Sequence, residues 1–113
     1  MPARSSSDEA DQLTAVVLRF AENVVVSRRR SAITQEDAAG RAGLHRTEIS
    51  LLERGLRVPG LDTIVRVAAG VQAEPCELLA GMAWRIDPNR LHGAKPPAGG
   101  FEVALGSRWE EVR

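Results

Sequence analysis

The sequence predicts an all-α fold, a compact bundle of five helices followed by a C-terminal tail that contains a short β-ribbon. Three observations support this prediction. Up to residue 82, apolar residues recur at spacings of three and four, which is the period of one helical face. Near the middle, Gly43 separates two short helical segments where a tight turn is needed. After Gly81, prolines and glycines interrupt the helical pattern, and two short segments alternate with period two.

The composition indicates one folded domain with tails. A chain of 113 residues has room for a single apolar core without disulfides or metals. No apolar run approaches the ~20 residues that cross a bilayer, and the polar, acidic N-terminus is unlike a secretory signal. We therefore expect a cytoplasmic protein with no membrane partner. The expected organisation is a disordered tail over residues 1–11, a main domain over 12–82 and an extension over 83–113.

Cysteine and histidine usage argues against redox and metal chemistry. Cys76 is the only cysteine, so the chain forms no internal disulfide, and we expect its side chain to be a small core-facing group. His45 and His92 do not stand at ligand spacing with it, which predicts no metal site. The sequence shows no paired nucleophile and base and no glycine-rich phosphate loop. We therefore expect neither an enzyme nor a cofactor.

The charge balance bears on a nucleic-acid partner. Fifteen basic and fifteen acidic residues give a formal net charge of zero, whereas binding to phosphates usually requires an excess of lysine and arginine. Every basic residue except Lys95 is an arginine, whose planar guanidinium favours bidentate contacts, although GC-rich codon usage would produce the same bias. The charge balance lowers the expectation of a DNA partner without excluding it.

Local signals place the first two helices. Helix one is predicted over residues 13–30, because its apolar residues share one face and its basic end suits the helix dipole. Thr34 is the predicted N-cap of helix two, which is expected over 35–42 with acidic residues in its first turn. Gly43 is expected to adopt the left-handed conformation of the following turn.

Residues 35–55 carry the most informative spacing. A third helix is predicted over 46–54, and Gly55 is its stop. The residue types at five positions predict that helices two and three meet near a right angle, with the outer face of helix three free. Ala39 is small where the two helices cross, Gly43 permits the turn and Leu44 fills the angle between the helices. Ile49 and Leu52 form the buried side of helix three. A helical hairpin within some other bundle is the alternative.

The remaining elements follow at short intervals. Helix four is predicted over 61–71 and helix five over 76–82, where Pro75 suits the first turn. Two strands are predicted, one over 84–86 and one over 101–105, because apolar residues there alternate with small or polar ones. The expected inward residues of helix four are Leu61, Ile64, Val65 and Ala68.

The motifs TQED, AGLHRTEIS, LERG, LDTI and ELLAG follow one another between residues 34 and 81. In this order and spacing they resemble the Cro/C1-type helix-turn-helix family, the lambda-repressor-like or xenobiotic-response-element-type DNA-binding domains. The likeness extends from about Phe20 to Gly81, and the turn from Gly43 to Thr47 is similar to restriction-modification controller proteins and actinobacterial regulators. The resemblance implies a lambda-repressor-like bundle that binds double-stranded DNA.

The resemblance also implies which residues contact DNA. Gln35 stands where the family touches the DNA backbone or a base from the start of the second helix. Arg46, Thr47 and Ser50 occupy positions that reach base edges or phosphates, and an arginine there can bind guanine in bidentate fashion. Leu51 stands where a polar or basic residue is common; it either contacts a thymine methyl or faces solvent. The implied set is Gln35, His45, Arg46, Thr47, Ser50, Leu51, Arg54 and Arg57, of which the last two suit phosphates.

Other matched positions bear on structure. Arg28 and Glu53 match a family ion pair between the first helix and the end of the third, which implies that they orient the third helix. Glu48 is an acid on that helix; it accepts a hydrogen bond from cytosine, pairs with Arg46 or lowers nonspecific affinity. Gln72 stands where the family usually has glycine, which predicts a less regular connection between helices four and five.

One recognition helix covers only a few base pairs, so the resemblance implies a homodimer on a near-palindromic operator that represses or activates transcription. The candidate dimerisation residues are the apolar ones near and beyond helix five: Leu78, Leu79, Trp84, Ile86, Phe101 and Val103. Packing of this segment onto its own domain is the alternative. A second functional hypothesis is an antitoxin-like or scaffold protein whose C-terminal segment binds a protein partner.

Overall fold

The computed structural model describes residues 6–86 and 99–104, with the backbone alone for residues 6–10. In these ranges it contains α1 (Ser6–Arg30), α2 (Gln35–Ala42), α3 (Arg46–Glu53), α4 (Leu61–Gly70) and α5 (Pro75–Leu78), then β1 (Met82–Ile86) and β2 (Gly99–Val103). The predicted helical bundle with a C-terminal ribbon is therefore confirmed. By its contacts the chain divides into two units, Val17–Ala80 and the segments Met1–Val16 with Gly81–Arg113.

The first helix begins earlier than expected. A disordered tail was predicted over residues 1–11, whereas α1 begins at Ser6. The tail prediction is wrong for residues 6–11, and residues 1–5 lie outside the described ranges. Extending an existing helix avoids the cost of nucleating one, so polar residues join the amphipathic segment that follows them. No helix in the described ranges is both long and apolar enough to cross a bilayer.

The core of the Val17–Ala80 unit draws on all five helices and the connection after α4. Ile49 and Leu52 are almost completely buried, which confirms the predicted inward face of α3. A fully buried side chain of this size contributes about 1.5–3 kcal/mol relative to an exposed one. The largest fully buried side chains are Ile49, Leu52, Leu78, Val24, Val67 and Val71.

The inward face of α4 differs from the prediction. Leu61 and Val65 were expected to face inward, but 77% and 51% of their surfaces are exposed. Val67 and Val71 are buried in their place, whereas Ala68 is buried as predicted and Ile64 is half-buried. Both sets of residues have helical spacing, so periodicity alone does not choose between them. The packing of α4 against α2 distinguishes them, because Gly70 lies on the buried face and allows the two helices to approach closely.

That contact is made through Gly70. A Cβ atom added to Gly70 would lie 2.6 Å from the Ala38 carbonyl oxygen and 3.2 Å from the Ala42 Cβ. The first distance is below any real Cβ contact, and the atom it meets belongs to the α2 backbone, which cannot rotate away. Helices α2 and α4 can therefore lie this close only because residue 70 has no side chain.

We expect Gly70→Ala to destabilise the fold by about 1–3 kcal/mol, because the added methyl must push α4 away from α2. Gly40→Ala is the matched control: Gly40 lies inside α2 with nothing within 4 Å of its added Cβ. That substitution should stabilise the helix by about 0.5–1 kcal/mol. Urea unfolding of both variants measures the difference, and equal effects of the two would contradict this packing.

Helices α1 to α4 end in the same way. After each last turn, two backbone N–H groups return to carbonyls of that turn, as in the Schellman motif. The residue that turns the chain has positive φ in each case, and these residues are Ala32, Gly43, Gly55 and Gln72. The predicted left-handed Gly43 is thus confirmed, with φ of 70°. The connection after α4 follows the same motif, although Gln72 holds φ of 59° where glycine would be unstrained.

Replacing Gln72 with glycine should stabilise the fold by up to about 1 kcal/mol. The left-handed conformation is strained for a residue with a Cβ atom, and this strain is larger than the extra backbone entropy that glycine loses on folding. Gln72→Val should do the opposite, since a β-branched residue tolerates positive φ poorly. Thermal unfolding of the two variants beside the wild type is the measurement. An unchanged midpoint in both would refute the strain.

Helix α5 is shorter than predicted. It ends at Leu78 rather than near residue 82, and β1 starts at Met82. Gly81 has φ of 81°, which no helix accommodates, and turns the chain into the strand. With a single turn, only Leu78 is fully buried, so Cys76 is exposed and the expectation of a core-facing thiol is wrong.

The ribbon is antiparallel. Its register pairs Met82 with Val103, Trp84 with Phe101 and Ile86 with Gly99. The Trp84 and Phe101 rings meet edge to face with centroids 5.0 Å apart, a favourable aromatic geometry. The second strand begins two residues earlier than predicted, and Leu105, its predicted end, lies outside the described residues.

Candidate nucleic-acid interface

Helices α2 and α3 are joined by a tight, well-braced turn. The Thr34 hydroxyl accepts a hydrogen bond from the Asp37 backbone N–H at 3.0 Å, so the predicted N-cap of α2 is present. At the other end, Gly43 turns the chain, and Arg66 of α4 donates from Nη1 to the Gly43 carbonyl oxygen at 3.4 Å. The turn is therefore held from outside as well as by its own backbone.

The outer face of α3, defined as Arg46, Thr47, Ser50 and Leu51, is partly open to solvent. Arg46 and Thr47 are exposed, and the other two are half-buried. His45 is the N-cap residue; its carbonyl accepts from the backbone of α3, while its exposed side chain makes no capping hydrogen bond. Because the opposite side of α3 is buried in the core, this face can approach a flat or grooved partner without rearrangement.

The local charge differs from the net charge of zero. Residues 41–57 contain four arginines and two carboxylates, and one of those carboxylates, Glu53, is buried against Arg28. Within the described part of the chain no carboxylate forms an ion pair with Arg46, Arg54 or Arg57, and the Glu48–Arg46 pair is not among the contacts. This segment therefore presents unneutralised guanidinium groups, although the chain as a whole is balanced.

Arg28 and Glu53 form a close, bidentate ion pair. Arg28 Nε donates to Glu53 Oε2 at 2.6 Å and Nη2 donates to Oε1 at 2.9 Å. Only 14% and 5% of the two side chains are exposed. The hydrogen bond to Glu53 raises the pKa of the Arg28 guanidinium above its usual value, against the opposing effect of burial.

The ion pair is the centre of a larger network. Gln35 Nε2 donates to Glu53 Oε1 at 3.0 Å, and Arg28 Nη1 donates to the Ile33 carbonyl oxygen at 2.9 Å. Glu53 ends α3, Gln35 begins α2 and Arg28 lies on α1, so one carboxylate joins three helices. Gln35 is thus held beside the end of α3, at the end of α2 that the resemblance places near DNA.

Sequence analysis missed two bracing residues. Arg66 was not singled out, yet it holds the turn between α2 and α3. Asn23 Nδ2 donates to the carbonyl oxygens of Leu78 and Ala80, both at 2.9 Å, and so satisfies the C-terminal end of α5. These contacts join residues far apart in the sequence, and no local pattern announces them. Within the described residues, no cluster of histidine, cysteine and carboxylate is arranged to hold a metal.

The candidate dimerisation residues differ in their exposure to solvent. Leu78 is completely buried in the Val17–Ala80 unit, so its assignment to a dimer surface is wrong: the single turn of α5 points it into the core. Leu79, Trp84 and Ile86 are 42%, 49% and 59% exposed. Phe101 is half-buried against Trp84, and Val103 is also half-buried.

Comparison with known proteins agrees with this geometry. The family model described as a helix-turn-helix domain matches residues 24–80, half of the chain. The chain therefore belongs to the helix-turn-helix domain family, and its motifs and fold are those of Cro/C1-type DNA-binding transcription regulators. No curated protein matches.

Several solved structures share the fold. The restriction-modification controller protein C.AhdI from Aeromonas hydrophila is 31% identical, with a TM-score of 0.54, over 57% of this chain and 97% of that one. The hypothetical transcription factor NHTF from Neisseria is 30% identical with a TM-score of 0.54, over 70% and 85% of the two chains. The wild-type controller protein C.Esp1396I is 24% identical with a TM-score of 0.52, over 56% of this chain and 82% of that one, and shows the fold alone.

Glu53→Ala should destabilise the protein by about 3–5 kcal/mol, because it leaves the Arg28 charge largely buried without a partner. Specific DNA binding should weaken in parallel, since α3 loses its anchor to α1 and α2. Arg30→Ala is the control: its pair with Glu77 is 3.4 Å long and about half exposed, so its loss should change stability by less than about 1 kcal/mol. An unchanged melting temperature in Glu53→Ala would refute the anchoring role.

Proposed function

We propose that this protein is a sequence-specific transcription regulator that inserts α3 into the major groove of double-stranded DNA. The observation that carries the proposal is the outer face of α3: Arg46 and Thr47 are exposed there, while Ile49 and Leu52 on the opposite side are buried in the core. An α-helix fits the major groove, where every base pair presents a distinct pattern of donors, acceptors and methyl groups. We place the protein in the cytoplasm, together with its DNA.

Arg46 and Thr47 are the proposed base-contacting residues. Both are exposed in the first turn of α3, the part that helix-turn-helix proteins bring nearest to the bases. The Arg46 guanidinium has no carboxylate partner in the described structure and has the geometry for guanine O6 and N7. Ser50 and Leu51 lie one turn further on, where a hydroxyl and a methyl-bearing side chain can extend the contact.

Arg54 and Arg57 are the proposed phosphate contacts. Both are exposed beyond the end of α3, and Arg54 is steadied by a hydrogen bond from Nε to the Ser50 carbonyl oxygen at 3.3 Å. Contacts of this kind fix the register of a protein on DNA without reporting sequence. Gln35 is a third candidate: Glu53 takes one of its amide N–H groups, and the other is available to a phosphate or a base.

We propose that the protein acts as a homodimer on a near-palindromic operator. A single α3 contacts too few base pairs to find one site in a genome, and two copies related by a two-fold axis bind half-sites about 34 Å apart. The likeness to the controller protein C.AhdI, which covers 97% of that chain, supports a regulator built on a helix-turn-helix domain of this size.

In vitro selection of bound DNA from a random pool, done with wild type and Arg46→Ala, tests the base contact. If Arg46 binds a base, the variant should lose specificity at one symmetric pair of positions, at a cost of about 1–3 kcal/mol. Arg57→Ala is the control; it should weaken binding to all sequences alike and reduce the salt dependence. A uniform loss in Arg46→Ala would assign that residue to phosphates, and no binding to any DNA at low salt would reject the function.

A further inference from the structure

The hydrogen bonds of the ribbon show which backbone groups face outward. The Ala104 N–H donates to the Gly81 carbonyl oxygen at 2.7 Å, so residues 81 and 104 form a hydrogen-bonded pair. Such pairs alternate along an antiparallel ribbon. The N–H and C=O groups of Met82, Trp84 and Ile86 therefore point away from β2, along the outer edge of β1. The Phe101 N–H, which donates to Gln12 Oε1 at 2.9 Å instead of to β1, agrees with this alternation.

The two edges of the ribbon differ. The outer edge of β2 meets α1 through the Gln12–Phe101 hydrogen bond. In contrast, no hydrogen bond within the described ranges reaches the outward groups of β1. Proteins usually guard a free edge with proline or with a charged side chain. β1 has no proline, and its one charge, Arg85, is paired with Glu102 at 2.9 Å.

One face of the ribbon is apolar and partly open. Met82, Trp84 and Ile86 share it with Phe101 and Val103, since alternate residues of a strand point to the same side. About half of the Trp84 surface and more than half of the Ile86 surface are exposed. An isolated two-stranded ribbon is marginally stable in water, and further strands with a continuous apolar face would stabilise it.

We propose that β1 pairs with β1 of a second copy of this chain, antiparallel and centred on Trp84, so that two ribbons form one four-stranded sheet in the homodimer. The inference rests on the dimer of the proposed function and identifies its interface. In this register Met82 faces Ile86 of the second copy and Trp84 faces its own counterpart. Every outward N–H and C=O of the three residues then finds a partner, as a two-fold symmetric interface requires.

The charges favour this register over its neighbour. Centred on Trp84, the pairing sets Arg85 opposite Ala83 of the second copy. A shift that centres it on Arg85 would set two arginines directly opposite each other, which is destabilising. The edge of β1 is therefore complementary to itself, which is the reason for choosing a second copy rather than a peptide from another protein.

Sedimentation of the full chain with a matched pair of double variants tests the register. Met82→Lys/Ile86→Lys sets lysine opposite lysine at both ends of the proposed interface, whereas Met82→Glu/Ile86→Lys sets glutamate opposite lysine. Within one ribbon these positions face Val103 and Gly99, so neither double variant opposes charges inside its own copy. We expect the glutamate variant to dimerise more tightly, by about tenfold or more. Equal dimer dissociation constants would overturn the proposal.

Ile86→Pro is an independent variant, because it removes an outward N–H that the ribbon does not use. It should shift the protein towards monomer. In the wild type, amide exchange at Met82 and Trp84 should become slower as the protein concentration rises, and in the variant it should not. A dimer of wild-type strength in Ile86→Pro, or a wild-type chain that stays monomeric, would overturn the interface. Binding of a single half-site by the Ile86→Pro variant would still support the proposed function. If the wild type is dimeric but binds no DNA, the proposed function is rejected and the interface is not.

Discussion

The buried carboxylate of Glu53 is the point on which the arrangement of α1, α2 and α3 depends. It accepts hydrogen bonds from Arg28 and Gln35 with almost no access to water. Desolvating such a pair is expensive, and well-packed apolar residues would often stabilise a core as much or more. The ion pair also fixes the orientation of α3. A bidentate guanidinium accepts one orientation of the carboxylate, and that carboxylate belongs to Glu53, the last residue of α3. An apolar contact in its place would allow α3 to rotate about its axis, and the positions of the side chains on its outer face would be less well defined.

Much of the Val17–Ala80 unit could be predicted from local sequence, because its helices carry their own signals. Thr34 caps α2, Gly43 turns the chain, and Ile49 and Leu52 define the buried side of α3. The rest depends on contacts between distant residues. The face of α4 is chosen by the close approach of Gly70 to α2, and the end of α5 by the left-handed Gly81. Periodicity reports that a helix has an apolar side, but not which of two adjacent sides meets a neighbour.

The helix ends show the same division. The two helices around the turn end at glycines, so their boundaries were visible in the sequence. Ala32 and Gln72 perform the same task after α1 and α4 without glycine, and no residue type marked them. The candidate interface followed the same logic. The resemblance placed Arg46 on α3 and Arg54 just after it, and both are exposed. Arg66 and Asn23, in contrast, bind backbone carbonyls that only the folded chain brings near. The candidate dimerisation residues were least predictable, because Leu78 and Leu79 are adjacent and identical in type, and only Leu78 is buried.

Asn23 has a consequence for the C-terminal end of the Val17–Ala80 unit. Its amide holds the carbonyls of Leu78 and Ala80, the last residues before the chain leaves the Val17–Ala80 unit. The end of this unit is therefore held by a side chain of α1. An exchange of the segment after Ala80 would therefore leave these two hydrogen bonds, and with them the end of α5, in place.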